Sequence, residues 1–165
     1  MSRYSLRDGR LRVIMMTVAP ADLEAPTIAE LAAGVDLRGV ENDEALAADG
    51  INGWEVNVAN DPTPDALSYR TGTIPGEETY AESSLEFWRG TASTVIYDAS
   101  DPGLSVWVSF VEAASPSAAI AAGNDIDTWP ARISTRTKLR ALNGPAQFRV
   151  NFAPQVPTLD GTVAA

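Results

Sequence analysis

Apolar and polar residues alternate along several stretches of this chain. A period of two is the signature of strands, whose side chains point in turn to opposite faces. The alternation is most regular over Thr79–Trp88, TYAESSLEFW. Thr79, Ala81, Ser83, Leu85 and Phe87 share one face, and Tyr80, Glu82, Ser84, Glu86 and Trp88 share the other. Burying an unpaired carboxylate costs far more than a strand returns, so the face with Glu82 and Glu86 is expected to be wet and acidic. An ordinary solvated sheet face would give the same pattern. Ile51–Ala59 repeats it, with Trp54, Val56 and Val58 opposite Gly53, Glu55 and Asn57. Leu104–Glu112 reads as the most buried strand, with Leu104, Val106, Val108 and Phe110 opposite Ser105, Trp107, Ser109 and Val111. Further strands are expected over Arg10–Ala19, Val35–Val40, Ile126–Leu139 and Gln147–Ala153. In Ile126–Leu139, a polar stripe of Arg132, Ser134, Arg136 and Lys138 faces away from Ala131, Ile133 and Leu139. Pro130 cannot donate to a ladder, which predicts a sheet edge there.

Helical signals are few. Pro26–Gly34 reads as one short helix, with Thr27 as cap, Glu30 three residues on as in a capping box, and Gly34 as stop. Ala92–Ala99 is a second short candidate, capped by Thr91 or Ser93. Glu41–Asp49 is an acidic, alanine-rich connector, expected to be a loop or a helical turn, and it lacks the spacing of a calcium loop. Asn60–Glu78 holds three prolines and two glycines and reads as a long loop between two amphipathic strands. The resulting expectation is mainly β: a single β-sandwich or barrel-like domain over residues 1–165 with one flanking short helix. Residues 1–10 form an N-terminal arm, 60–78 a long hairpin loop and 154–165 a C-terminal arm.

Composition narrows the chemistry. The 165 residues suffice for one domain with a sizeable core. No apolar run approaches the roughly 18 residues of a membrane span, and Val13–Val18 is too short for a secretory leader. The chain has no cysteine and no histidine. Their absence from the sequence removes disulfides, thiolate zinc sites, a thiol nucleophile and the usual Ser–His triad. Paired carboxylates could still hydrolyse glycosides, but Glu82 and Glu86 lie roughly 13 Å apart along a strand, wide for such a pair. Asp125 and Asp127 beside Trp129 read more simply as a loop-to-strand entry than as a metal or sugar site. Neither enzyme activity nor a cofactor or metal is expected.

Charge is unevenly spread. The net charge is −10. Residues 1–19 hold four arginines and one aspartate, and residues 20–60 one arginine against nine acids. Residues 61–112 hold two arginines against nine acids, and residues 113–165 five bases against three acids. Basic ends flank an acidic middle. Such a chain should not grip nucleic acid, which needs lysine and arginine to displace counterions. It suits contacts between copies through opposite patches, or plain charge mixing for solubility.

In order, the helix PTIAELAAGVDL, the hairpin around Trp54, TYAESSLEFWRG, LSVWVSFVE, the strand around DTWPARIS and the closing FRVNFAPQVP with its small-residue end resemble the major tail (tail tube) proteins of long-tailed actinobacterial phages. The similarity spans nearly the whole chain, and it departs at TASTVIYDASDPG, which lacks a clear acidic helix. The resemblance implies a β-sandwich subunit that forms hexameric rings, stacked into a tube for passing DNA. It implies residence in the virion tail after synthesis in the host cytoplasm, with no membrane partner. The implied partners are other copies of the chain, a tape measure protein inside the tube, and terminator and distal tail proteins at its ends. DNA would pass without specific binding. On this reading Glu55, Asn57, Glu82, Ser84 and Glu86 are channel-lining candidates. Arg3, Arg7, Arg10, Arg12, Arg70, Arg132, Arg136 and Lys138 are candidates for subunit contacts. The alternatives are a tail terminator, a capsid decoration protein, or a carbohydrate-binding β-sandwich that stacks sugars on Trp54, Trp88, Trp107 or Trp129.

Overall fold

The structure, a computed structural model, describes residues 10–38, 44–64, 71–90, 94–115, 118–139 and 146–165. In chain order the elements are β1 (Leu11–Met16), α1 (Ile28–Ala32), β2 (Val35–Asp36), β3 (Ala45–Asn52), β4 (Val56–Pro64) and β5 (Thr71–Tyr80). They continue with β6 (Ser83–Trp88), α2 (Val95–Ala99), β7 (Ser105–Glu112), β8 (Asp125–Leu139), β9 (Gln147–Pro154) and β10 (Thr158–Thr162). One antiparallel sheet runs β2-β1-β7-β8-β9-β6-β3, with β10 also on β8, and β4 pairs β5 in a separate two-stranded ribbon. The large sheet curls into a half-barrel. Its two ends meet at Leu37, whose N–H donates to Val13 O at 2.9 Å and whose carbonyl accepts from Leu46 N at 3.0 Å.

The curl encloses the main core. Val13 and Met15 of β1, Leu85 and Phe87 of β6, Val106 and Val108 of β7, and Phe148, Val150 and Phe152 of β9 all point inward, as period-two alternation requires. A second cluster of Ile14, Met16, Leu31, Val111, Ile126 and Val163 lies on the other side of β1 and β7, under α1 and the end of the chain. Strand β1 is therefore covered on both faces, which explains its unbroken apolar run VIMM. The closing stretch, read from sequence as an arm, adds β10 to β8 and buries Val163.

Helix α1 carries the expected capping box. Thr27 Oγ1 accepts from Glu30 N at 3.2 Å, and Glu30 Oε2 accepts from Thr27 N at 2.8 Å. Glu30 Oε1 also takes Ala21 N at 2.7 Å. The Ala21 backbone bond, then those from Thr27, hold the Glu30 carboxyl below its ordinary range. A carboxyl whose pKa falls on folding stabilises above its unfolded pKa, and the contribution fades as pH drops through the folded value. Wild type should therefore melt above Glu30→Gln at pH 7. The gap should narrow below about pH 4 in paired thermal melts. A gap that widens in acid would refute this role.

Several boundaries differ from those read in the sequence. TYAESSLEFW is two strands, β5 and β6, interrupted at Ala81 and Glu82. Its phase slips at the break: Thr79 is exposed and Tyr80 half-buried, whereas Ser83, Leu85 and Phe87 are buried as expected. Ile51–Ala59 is likewise split between β3 and β4 by Gly53 and Trp54, whose φ angles are 77° and 64°. A left-handed tryptophan costs on the order of 1–2 kcal/mol. The bend offsets that cost by inserting the indole among Phe110, Trp129 and Phe152, with ring centroids 5.3, 5.8 and 5.2 Å away. Much of the connector 41–49 is strand, since β3 pairs with β6 and tertiary pairing overrides the helical leaning of alanine. The ladder of β4 and β5 continues through Pro64↔Thr71, so most of Asn60–Glu78 is paired strand, and the tip lies outside the described residues. Pro130 lies inside β8, opposite Trp107 of β7. On its other side the partner changes from β10, which ends its pairing at Thr128, to β9, which begins at Ala131. The missing N–H thus costs the ladder nothing.

Candidate assembly surfaces

Three surfaces follow from this architecture. The first is the outer face of β6, β9 and β8. Strand β6 presents Ser84, Glu86 and Trp88 there, with its apolar residues locked inward, and Glu82 stands just before it. Glu86 lies directly opposite Arg149 of β9, and the two form an ion pair through Arg149 Nε (2.8 Å) and Nη2. Asn151 lies opposite Ser84 and donates to Thr135 Oγ1 at 2.7 Å. Glu82 is exposed at the edge of this face. The face is wet, as the alternation predicts. Its charge is more balanced than β6 alone suggests, because the partner of Glu86 lies 63 residues away in sequence.

The second surface closes one end of the curl. A cavity of about 570 Å³ opens there, floored by Trp54, Phe110 and Trp129 and edged by Glu55, Glu112 and Asp127. Asp127 Oδ1 accepts Asp160 N at 3.0 Å. No group of three or more acidic side chains among the described residues has metal-binding geometry.

The third surface lies at the opposite ends of the same strands. Register between β8 and β9 shifts between Ile133↔Phe152 and Thr135↔Asn151, so Ser134 is an extra residue. Such a bulge reverses the alternation beyond it. Arg136 and Lys138 consequently sit opposite Val150 and Phe148, on the core side, whereas Arg132 stays outside. The stripe read from sequence is therefore divided between two faces. Tyr97 of α2 lids the core here, edge-on to Phe148 at 5.2 Å. Arg136, Lys138 and Arg89 approach its ring at 3.8, 5.3 and 5.4 Å. Arg136 also donates to Tyr97 O and pairs with Asp101 at 3.1 Å.

Compared with known protein families, residues 1–165 match the phage tail tube protein family from end to end. The chain belongs to that family. A search of curated proteins found no match. As a phage tail tube protein it is a structural component of a virion tail, built to self-assemble into a tube.

The remaining candidate residues fall as follows on the tail tube subunit. Arg3, Arg7 and Arg70 lie outside the described residues. Arg10 is exposed, but Arg12 is only 5% exposed and donates to Ala118 O at 3.0 Å, inside the subunit. Arg132 is exposed and donates to Gly103 O at 3.2 Å. Asn57 is exposed near the start of β4. Trp54 and Trp129 are core residues and Trp107 is half-buried, so Trp88, 38% exposed, is the most accessible of the four tryptophans. Sequence reading passed over Arg89 and Tyr97 in the basic cluster and Glu112 in the acidic cavity. Arg89 is one charge after a strand, and the β6–β9 and β8–β9 registers together bring it towards Lys138.

Proposed function

We propose that this chain polymerises as stacked hexameric rings into the tail tube, with the outer face of β6 lining a channel through which DNA passes without being held. The observation that supports this most is the hydrophilic outer face of β6–β9–β8 laid over a fully packed inner face. Of its described cations, Arg149 is engaged by Glu86 and Arg132 donates to Gly103 O, and Glu82 remains to repel phosphate. Glu82, Ser84 and Glu86 are the bore residues, with Asn57 continuing the face onto the ribbon. Glu55 belongs to the acidic cavity instead. The β4–β5 ribbon pairs with no other strand among the described residues, and two strands alone are marginal in water, so neighbouring copies are its natural support. The tape measure protein occupies the lumen during assembly, and terminator and distal tail proteins close the ends.

Negative-stain microscopy of the concentrated protein should show open-ended filaments with sixfold end views. Single closed rings or monomers would refute the tube. Glu82→Lys tests the bore. Replacing Glu86 would also strand Arg149, so Glu82 is the cleaner position. The variant should build normal tails that eject DNA poorly, read as a loss of infectivity at unchanged particle number. Full infectivity would remove β6 from the channel wall.

A further inference from the structure

The two ends of the curled sheet carry opposite charge. Strand β8 joins them, running from Asp127 at the acidic cavity to Lys138 at the basic cluster, eleven residues or roughly 35 Å. We propose that successive copies join head to tail, the basic rim around Tyr97 of one copy docking on the acidic mouth around Trp54 of the next. This rests on the tube reading above and names the contact that extends it.

The charges on each end support that pairing. Glu55, Glu112 and Asp127 edge the mouth, and none of the described residues that line it is a lysine or an arginine. Arg10 is exposed just beyond Leu11. At the rim, Asp101 engages Arg136 and Asp98 is bonded to Thr94 Oγ1 at 2.7 Å. Arg89 and Lys138 have no carboxylate partner among the described residues and rest only on the Tyr97 ring. Held within about 6 Å of one ring, these like charges repel one another unless anions arrive from outside. The mouth supplies them, and its aromatic floor also favours a cation. A two-fold dimer through either end would set like charges face to face. Opposite ends complement each other only head to tail, which gives a heterologous contact that propagates. Duplex DNA is a poorer occupant of the rim, because phosphate tracking needs a run of cations and the chain carries a net charge of −10.

Lys138 is the only lysine in the chain, which makes the test specific. A carbodiimide couples an amine to a carboxylate in direct contact. In assembled wild type, peptide mass spectrometry should find crosslinks between copies from Lys138 to Glu55, Glu112 or Asp127. They should vanish in Lys138→Arg, which has no primary amine. Lys138→Glu and Glu55→Lys should each raise the concentration needed for assembly about tenfold, a change of ~1.4 kcal/mol per contact. Combining them should restore it. Wild-type filaments without these crosslinks would overturn the head-to-tail contact and leave the tube reading intact. So would single variants that assemble as readily as wild type, or Lys138-dependent retardation of duplex DNA. A wild-type chain that stays monomeric at every concentration would overturn both.

Discussion

Phe148→Ala should destabilise the subunit by about 3–5 kcal/mol, the usual cost of removing a fully buried phenyl ring. Phe148 has no exposed surface, stacks on Phe87 at 5.0 Å and 22°, and meets Tyr97 edge-on. Each aromatic pair adds roughly 0.5–1.5 kcal/mol beyond the area buried. The site has little freedom to collapse, because β9 is held by β6 on one side and β8 on the other. The melting temperature should fall by roughly 6–20 °C for a chain of this size. Leu159→Ala, at a position 45% exposed, should change it little. Equal melting of the two variants would mean that Phe148 does not occupy the core.

Glu44→Ala should be nearly as damaging, at about 2–4 kcal/mol, for a different reason. Glu44 is fully buried, yet its carboxylate is a helix cap supplied from a distance. Oε2 accepts Ile96 N at 2.7 Å and Tyr97 N at 3.0 Å. These are first-turn N–H groups of α2 that no preceding residue of the helix can satisfy. The local candidate, Thr94, makes no capping bond and donates to Asp98 instead. Alanine leaves two buried donors without partners. Glu44→Gln keeps an acceptor and should recover about half the loss. Hydrogen exchange at Ile96 and Tyr97 separates this account from general weakening. In Glu44→Ala both amides should exchange sooner than those of β7, and uniform acceleration would contradict it.

What could be read in the sequence was local. The faces of β6 and β7, the apolar run of β1 and the Thr27–Glu30 box depend on neighbours within a few residues, and the structure keeps all of them. The features that were missed come from distant partners or from backbone angles that residue type does not announce. Tryptophan rarely takes φ near 64°, so the bend at Trp54 left no signal, and two strands were read as one. Glu44 reads as one acid in an acidic connector until α2, more than 50 residues later, is placed against it. Glu86 reads as a free carboxylate until β9 supplies Arg149. Pro130 was a fair warning of interrupted pairing, but in a curled sheet the interruption became a change of partner within the sheet.

The extra residue at Ser134 has a consequence for the polarity of the whole molecule. Were Ser134 paired in register with Asn151, strict alternation would carry Arg136 and Lys138 to the outside with Arg132, and the lid over Phe148 would keep only Arg89 of its three cations. One unpaired residue thus sets how strongly the two ends of the subunit differ in sign, and with that how strongly a growing polymer is given a direction.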